Sequence, residues 1–208
     1  MLINVKIPTD IISDASKVIS PQYIIMEDFD AFTASAFLKS FNQINNTPQP
    51  IVPIHVDSPG GSAYAVMGVV DIVTVSKKPV LTFCSSWAMS AGSVLLAAGT
   101  KGYRYASKNA SIMIHQASGG GEGKTSDLKA DLEELERLND TYMELLAKFS
   151  GKTKKFYQNL IKKHGNSDFY ISAQEAKDFG LIDFVGVPEL TLELKPEYTV
   201  KNVAGKSY

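Results

Sequence analysis

Residues 87–93 read Trp-Ala-Met-Ser-Ala-Gly-Ser and join two apolar runs of different character. The run before them, 79–84, is rich in strand-forming residues, and the run after them, 94–98, reads as the start of a buried helix. Ser90 therefore lies at a predicted strand-to-helix junction. A hydroxyl at such a junction is close to the free N–H groups and the positive dipole end of a helix, which favour developing negative charge. This segment predicts a serine placed to act as a nucleophile.

Strand, turn and helix signals follow one another along much of the chain. Residues 51–56 read as a strand, 57–62 as a tight turn and 64–75 as a helix. The same order repeats over 80–100 and, less cleanly, over 103–115. This alternation predicts an α/β fold of ββα or βαβ units on parallel strands.

Size and composition limit the classes of protein that need to be considered. The 208 residues fit one domain, or one domain with an appendage, and 44 % of them are hydrophobic, which allows a sizeable core. The net charge of −1 argues against a dedicated binder of nucleic acid or of a membrane surface. No apolar run approaches the ~18 residues needed to span a bilayer, and the first residues lack a secretory signal. Cys84 is the only cysteine, so no internal disulfide forms, and we expect a cytoplasmic location.

A glycine-rich segment precedes the longest helix signal in the chain. Residues 117–123 read Ala-Ser-Gly-Gly-Gly-Glu-Gly and are expected to be extended or mobile, because glycine disfavours a regular helix. Residues 125–149 place leucines and a tyrosine at a spacing of three or four, with mostly charged residues between them. A single apolar stripe on such a helix predicts a projection that packs on something else, such as another subunit.

A nucleophilic serine needs a base, and the base needs a partner that orients it. The chain offers three histidines. His115 is favoured because it ends an apolar strand and precedes the glycine-rich segment, and active sites of α/β folds tend to lie at the carboxyl ends of strands. His164 lies in a polar segment near a helix end, and His55 lies within a strand, where it packs or faces solvent.

The turn at Gly60-Gly61 has two readings. It is an ordinary turn, or it lets a backbone N–H approach a ligand oxygen closely. In the second reading, the N–H groups of Gly61 and Ala91 form a two-donor oxyanion site. The residue chemistry alone does not choose the acidic partner of the base among Asp57, Asp168, Asp178 and Asp183.

Four ordered blocks of sequence resemble the ClpP family of serine peptidases. They comprise 57–62, 88–99, 113–116 and the closing block, in which 172–176 (Ser-Ala-Gln-Glu-Ala) is followed by 179–183 (Phe-Gly-Leu-Ile-Asp). The resemblance covers roughly residues 20–185. It implies a crotonase-like (ClpP) α/β fold of stacked ββα units with a projecting handle helix, and the activity of a serine endopeptidase that cleaves peptides and unfolded proteins.

The resemblance also implies the site residues. Ser90 is the nucleophile, His115 is the general base, and Asp168, four residues before the Ser-Ala of the closing block, completes the triad. Gly61 and Ala91 supply the oxyanion hole through their backbone N–H groups. Substrate-binding positions are assigned to Gly60, Gly119 and Gly120. No metal or organic cofactor is implied.

The resemblance implies a division of the chain and an assembly. Residues 1–22 form an N-terminal segment, 23–116 and 150–186 the head, 117–149 the handle arm and helix, and 187–208 a peripheral tail. The family forms seven-membered rings stacked in pairs, and AAA+ unfoldases feed them unfolded chains. We therefore expect a homo-oligomer with peptide or unfolded-protein substrates.

Some positions depart from the family pattern. Ser167 stands where an arginine usually bonds across the two rings, which weakens the case for a double ring. The groove that docks an unfoldase here includes Pro53, His55, Ser85 and Ser107 beside Phe83 and Tyr105, and such a polar groove predicts weak docking of an apolar loop. Trp87 replaces a smaller polar residue and is expected to fill the core or, alternatively, to narrow the substrate pocket. These departures favour a divergent member, such as a virus-encoded or accessory one.

Two other functions remain open at this stage. One is a catalytically silent ring subunit that assembles with an active paralogue, although the intact set of Ser90, His115 and Asp168 argues against it. The other is a crotonase-type acyl-CoA enzyme, a class that generally relies on carboxylates rather than on a serine and a histidine. A membrane-linked peptidase that uses serine and lysine is disfavoured by the lack of an apolar span.

Overall fold

The computed structural model describes residues 22–190. The predicted N-terminal segment 1–22 lies outside this range except for its last residue, and the predicted tail 187–208 lies outside it from residue 191 onward. The strands are β1 (Ile24–Met26), β2 (Val52–Val56), β3 (Val80–Cys84), β4 (Trp87–Met89), β5 (Arg104–Ala106), β6 (Ser111–Ile114), β7 (Phe169–Ser172) and β8 (Phe184–Val185). The helices are α1 (Ala31–Asn45), α2 (Ala63–Thr74), α3 (Ala91–Ala98), α4 (Thr125–Ser150), α5 (Lys154–Lys163) and α6 (Ala173–Phe179).

The larger sheet is parallel throughout and has the strand order β1-β2-β3-β5-β8. Helices α1 and α2 connect its first three strands, which confirms the predicted βαβ units. In β2, Val52, Ile54 and Val56 are completely buried, as expected for strands of a parallel sheet. The mixed α/β architecture predicted from the alternation of signals is thus confirmed.

A second, smaller sheet contains β4, the strand that leads to Ser90. It has the order β4-β6-β7, with β4 parallel to β6 and β6 antiparallel to β7. Ser90 directly follows β4, and this short strand separates it from the predicted strand run 79–84, which forms β3. The carboxylate of Asp57 accepts hydrogen bonds from Ser86 Oγ at 2.5 Å and from the Trp87 N–H at 3.0 Å, and these bonds hold the crossing between the sheets.

The prediction that Trp87 fills the core is wrong. Its side chain is 42 % exposed at the start of β4. The alternation of a strand explains this exposure, because the next residue, Ala88, is completely buried and takes the inward position.

Helix α3, which begins immediately after Ser90, is buried along its entire length. Its small residues allow this position. A Cβ atom on Gly92 would lie 3.2 Å from the Cβ of Ser58, so a larger residue would push the helix away from the turn 57–61. The same turn is fixed to β4, because the Ser58 N–H donates to Trp87 O at 3.0 Å and Ser58 O accepts from the Met89 N–H at 2.9 Å.

Helix α4 divides into a packed half and an exposed half. Leu138, Tyr142, Met143 and Leu146 are buried in the core. Leu128 and Leu132, in the first turns, are exposed. Residues 117–123 before the helix form neither helix nor strand, as the glycine content predicts. Between residues 22 and 190, no helix has the length and apolar character of a membrane span.

Candidate active site

Ser90 has an unusual backbone conformation at the N-cap of α3. Its φ of 51° and ψ of −119° lie in a region that a residue with a side chain rarely adopts. An N-cap serine ordinarily accepts a hydrogen bond from an N–H of the first helical turn, but within the described residues its side chain makes no capping bond. The turn therefore directs the hydroxyl away from the helix that it begins.

The hydroxyl is directed to His115. The two residues follow neighbouring parallel strands, because β4 and β6 pair with Met89 opposite Met113. The Ser90 N–H donates to Met113 O at 2.9 Å, which fixes the end of β4 against β6. His115 Nε2 consequently lies 2.7 Å from Ser90 Oγ, within the range of a strong hydrogen bond.

Asp168 lies on the other side of the imidazole. It directly precedes β7, whose first residue, Phe169, pairs with Ile114 at the end of β6. His115 Nδ1 is 3.4 Å from Asp168 Oδ1. The His115 side chain is 22 % exposed and that of Asp168 is 52 % exposed. The serine–histidine contact is thus tight, whereas the histidine–aspartate contact is longer than an ordinary hydrogen bond, as is common before substrate binds.

The other acidic candidates have different partners. Asp57 holds Ser86 and Trp87; its partial burial acts to raise its pKa, but the hydrogen bonds from these residues outweigh that effect and the pKa lies below its ordinary value. Asp183 pairs with Arg104 at 2.7 Å. Asp178 accepts a hydrogen bond from Gln174 Nε2 at 2.9 Å on α6. Of the four carboxylates left open by the residue chemistry, Asp168 is the one beside His115.

The glycine turn lies against the serine. Gly60 has a φ of 112°, and a Cβ atom there would lie 2.7 Å from the Cβ of Ser90. In the bridge between Phe29 and Gly61, Phe29 bonds to Gly60 O and to the Ser62 N–H. Phe29 thus bonds to the residues on either side of Gly61 in the chain. The N–H of Gly61 itself therefore points away from Phe29. Its left-handed φ of 138° makes glycine the preferred residue.

The site opens into a cleft of about 780 Å³ between this turn and α4. Ser90, His115, Gly61 and Ala91 all line it, so both proposed oxyanion donors border the same space as the serine. The opposite wall is formed mainly by leucines of α4, namely Leu128, Leu132, Leu135 and Leu138. This lining suits an apolar side chain of a bound peptide.

The arm that contains Gly119 and Gly120 forms another part of the cleft wall. The Ala117 N–H donates to Asn139 Oδ1 at 3.0 Å, which attaches the start of the arm to α4. A Cβ atom on Gly119 would lie 3.4 Å from Leu135 Cδ1, so the arm runs close along the helix. Gly60, Gly119 and Gly120, the substrate-binding residues suggested by the resemblance, are thus all close to the serine or to the cleft.

One polar bridge crosses the cleft. The Tyr64 hydroxyl, at the start of α2, donates to Glu134 Oε1 at 2.8 Å. Arg137 holds the same carboxylate with two bonds of 2.7 Å. These hydrogen bonds, that from Arg137 first, lower the pKa of Glu134 to about 2. The carboxylate therefore remains ionised at neutral pH and can accept from both donors.

The other two histidines lie outside the site and contact other residues. His55 Nε2 contacts Ser85 Oγ at 2.9 Å and its ring stacks on Phe83 at 5.4 Å between centroids. His164 follows α5 and its ring lies 4.1 Å from that of Phe169. In the groove where the resemblance places unfoldase docking, the polar residues bond to one another, since Ser107 Oγ also donates to Ser85 O.

Two residues contact the nucleophile's carbonyl although the sequence did not indicate them as site residues. The hydroxyls of Ser93 and Tyr142 both bond to the carbonyl of Ser90, at 2.7 Å and 3.4 Å. Tyr142 belongs to the apolar stripe of α4, and a buried tyrosine in such a stripe signals only packing. Its hydroxyl could have been noticed because a buried phenol usually needs a hydrogen-bond partner.

Comparison with known proteins identifies the family to which the chain belongs. The family model described as Clp protease matches residues 12–189. The chain belongs to the Clp protease family and is a peptide hydrolase of the ClpP type. A similar relative is the ATP-dependent Clp protease proteolytic subunit of Bacteroides fragilis, which is 34 % identical over 160 residues, or 77 % of this chain and 74 % of that protein. The predicted family, fold class and type of enzyme are thereby confirmed.

Proposed function

We propose that this protein is a serine endopeptidase that cleaves peptides and unfolded proteins with a triad of Ser90, His115 and Asp168. The contact of 2.7 Å between His115 Nε2 and Ser90 Oγ, at the strained entrance to α3, carries the proposal. A base at this distance can remove the hydroxyl proton as the serine attacks. The family membership supports a peptide bond as the substrate.

In the first half of the reaction, Ser90 Oγ attacks the carbonyl carbon of the scissile bond while its proton passes to His115 Nε2. The carbonyl electron pair moves to the oxygen, and the N–H groups of Gly61 and Ala91 stabilise the resulting oxyanion. When the tetrahedral intermediate collapses, the C–N bond breaks and the leaving amine takes the proton from His115. The acyl group remains on Ser90.

In the second half, a water molecule repeats the attack on the acyl group. His115 accepts a proton from the water and returns it to Ser90 Oγ as the acid product leaves. Asp168 orients the imidazole through Nδ1 and stabilises its cation in both halves. Because Ser90, His115 and water account for every proton and electron pair, the mechanism requires no metal or organic cofactor.

We further propose that the protein acts in a homo-oligomeric ring in the cytoplasm. Leu128 and Leu132 are exposed on the first turns of α4, where a neighbouring subunit or a substrate could cover them. The relative from Bacteroides fragilis is named as the proteolytic subunit of an ATP-dependent protease, which supports assistance by an unfoldase. The polar pairing of His55 with Ser85 in the groove suggests weak docking of an apolar unfoldase loop.

Turnover of a labelled unfolded protein, such as fluorescent casein, tests the proposed function. We expect Ser90→Ala and His115→Ala each to reduce kcat by ~10⁴-fold or more, because the nucleophile or its base is lost. Asp168→Asn should also reduce kcat strongly, since the imidazole loses its orienting carboxylate. His164→Ala, at an exposed histidine outside the site, is the matched control and should leave kcat unchanged.

The alternatives give different results in the same experiment. Casein turnover that survives Ser90→Ala would refute the triad. Hydrolysis of an acyl-CoA thioester without peptidase activity would indicate the crotonase-type enzyme. Inactivity of the wild type toward both substrates would indicate the silent subunit.

A further inference from the structure

We propose that the hydroxyls of Tyr142 and Ser93 are positioning groups that aim the Ala91 N–H into the oxyanion hole. This inference rests on the proposed function, since it assigns the part of the site that holds the oxyanion. Because Tyr142 lies on α4, this helix helps to position the oxyanion hole. The two residues act through the peptide unit between Ser90 and Ala91 and do not touch the reacting atoms.

The carbonyl of Ser90 has two close donors and a third, more distant one. The Ser93 N–H lies at 3.0 Å, the Ser93 Oγ at 2.7 Å and the Tyr142 hydroxyl at 3.4 Å. The first bond belongs to the ordinary start of a helix, whereas the other two come from side chains. A carbonyl oxygen has two lone pairs, so this one is fully occupied. Such saturation of one carbonyl beside a nucleophile fixes its direction.

The two hydroxyls act as one unit. Ser93 Oγ and the Tyr142 oxygen are 3.2 Å apart. Because the single hydroxyl proton of Ser93 is given to Ser90 O, the proton of Tyr142 lies between Ser93 Oγ and Ser90 O. Both residues are buried. Burial raises the pKa of Tyr142, although hydrogen bonds from Ser93 and from the backbone of His115 oppose it, so the phenol stays a donor at working pH.

The rigidity of the peptide unit transmits this constraint. The Ser90 carbonyl and the Ala91 N–H belong to the same planar trans peptide, so they point in opposite directions. Fixing the carbonyl toward Ser93 and Tyr142 therefore fixes the Ala91 N–H on the opposite side. Ala91 lines the cleft that contains Ser90 and His115. Donors on the carbonyl also polarise the peptide and strengthen its N–H as a donor.

The strain at Ser90 makes the constraint necessary. With φ at 51° and ψ at −119°, Ser90 and the peptide after it are held away from the conformation that a serine prefers. Without the two side-chain donors, this peptide can relax by rotating, and the Ala91 N–H rotates with it. An oxyanion donor acts mainly in the transition state, so relaxation should slow the chemical step more than it weakens substrate binding.

Kinetics of the assembled protein with a fluorogenic peptide amide test the inference. We expect Tyr142→Phe and Ser93→Ala each to lower kcat by about tenfold, a part of the ~10²–10³-fold that loss of a whole oxyanion donor causes. KM should stay within about twofold. The double variant should lose less than the product of the single losses, because the two hydroxyls form one network.

A transition-state analogue provides a readout that a merely structural role would not change. A peptidyl trifluoromethyl ketone adds Ser90 Oγ to its carbonyl carbon, passes the serine proton to His115 and places its oxygen as an oxyanion in the hole. Its affinity should fall in both variants in parallel with kcat/KM. The affinity of the matching peptide alcohol, which forms no oxyanion, should not change.

Thr82→Val is the matched control. Thr82 is completely buried on β3, and its hydroxyl donates to Leu96 O of α3, the helix that follows Ser90, at 2.7 Å. This variant should leave kcat and the ketone affinity unchanged. Equal effects of Thr82→Val and of the site variants would overturn the inference, as would unchanged kcat in Ser93→Ala, which removes the least volume. An inactive wild type would instead count against the proposed function itself.

Discussion

At the scale of single residues, the site depends on the close packing of Gly60 on Ser90. The glycine has no side chain, so the turn 57–61 can approach the serine closely. The strained φ of Ser90 and the left-handed φ of Gly60 and Gly61 are adjacent in space. Backbone strain that is concentrated around the Ser90 hydroxyl suggests that this geometry serves the chemistry of the hydroxyl rather than the stability of the protein.

Gly60→Ala should inactivate the protein while leaving it folded. A Cβ atom there would meet Ser90 Cβ at 2.7 Å, so Ser90 must move away from its place beside His115. We expect kcat on casein to fall at least tenfold, and the free energy of unfolding to fall by about 1–2 kcal/mol because alanine resists a positive φ.

Gly68→Ala is the matched glycine substitution. Gly68 lies within α2, and a Cβ atom there has nothing within 4 Å. Alanine should raise the free energy of unfolding by about 0.5–1 kcal/mol and leave kcat unchanged. Urea unfolding and casein turnover measure both effects, and equal kcat for the two variants would contradict the role of Gly60.

The residues that the sequence argument identified are those whose signal is local. Ser90 and His115 each lie at a junction between a strand-like run and a break, and strand pairing then brings them together. Asp168 lacked such a signal, because only the antiparallel pairing of β7 with β6 puts it beside His115. The resemblance named it, and the residue chemistry did not.

At the scale of elements, one buried ion pair joins several parts of the head. Arg104 on β5 is 3 % exposed, and its guanidinium bonds to Asp183 before β8. It also donates to Phe149 O at 2.9 Å and to Ala97 O at 3.3 Å, near the carboxyl ends of α4 and α3. A cation at the ends of two helices complements their dipoles. This pair therefore helps to hold the helix that begins at Ser90.

The ion pair should make stability depend on acid pH. Partial burial acts to raise the pKa of Asp183, but the hydrogen bonds and charge of Arg104 outweigh it and hold the pKa below its ordinary 3.8. The stabilisation is thus fully present above about pH 4 and is lost as the pH falls through the lowered native pKa. Asp183→Asn should lower the free energy of unfolding by about 3–5 kcal/mol at pH 7, since Arg104 stays buried without its carboxylate.

Asp178→Asn, at an exposed position on α6, is the control and should change the free energy of unfolding by less than about 0.5 kcal/mol. Unfolding curves at several pH values measure both variants. When the pH is lowered, the free energy of unfolding of Asp183→Asn should fall by less than that of the wild type. If Asp183→Asn and the wild type lost stability equally with falling pH, the ion pair would not be the cause of the pH dependence of stability.

Helices were easier to predict than the short strand of the site. The capping box of α6 is typical of a serine followed three residues later by a glutamate, and the Ser172 N–H donates to Glu175 Oε2 at 2.8 Å. Helix α1 begins at Ala31, directly after its N-cap residue Asp30. Strand β4 has three residues, too few for a periodic signal, and its pairing with β6 is a contact between distant parts of the chain.

At the scale of the whole molecule, the exposed leucines of α4 predict an assembly. Leu128 and Leu132 are uncovered in the single chain although they continue the apolar stripe. The family resemblance implies rings of seven that are stacked in pairs. Ser167, where the family has an arginine between rings, makes the single ring a real alternative.

Native mass spectrometry should find a particle of seven or fourteen copies of the 22.6 kDa chain. Leu132→Asp should lower that mass while the single chain stays folded, because the side chain is exposed there but would be covered in a ring. Lys129→Ala, at an exposed cation on the same helix, should leave the mass unchanged. A wild-type monomer at micromolar concentration would contradict the predicted ring.

The most direct test of the central claim, that His115 activates Ser90, is covalent labelling with a fluorophosphonate followed by mapping of the adduct. The account predicts one adduct, on the peptide that contains Ser90, formed quickly in the wild type and in His164→Ala and at least ~10³-fold more slowly in His115→Ala. An adduct on another residue, or labelling of Ser90 at the same rate without His115, would contradict it.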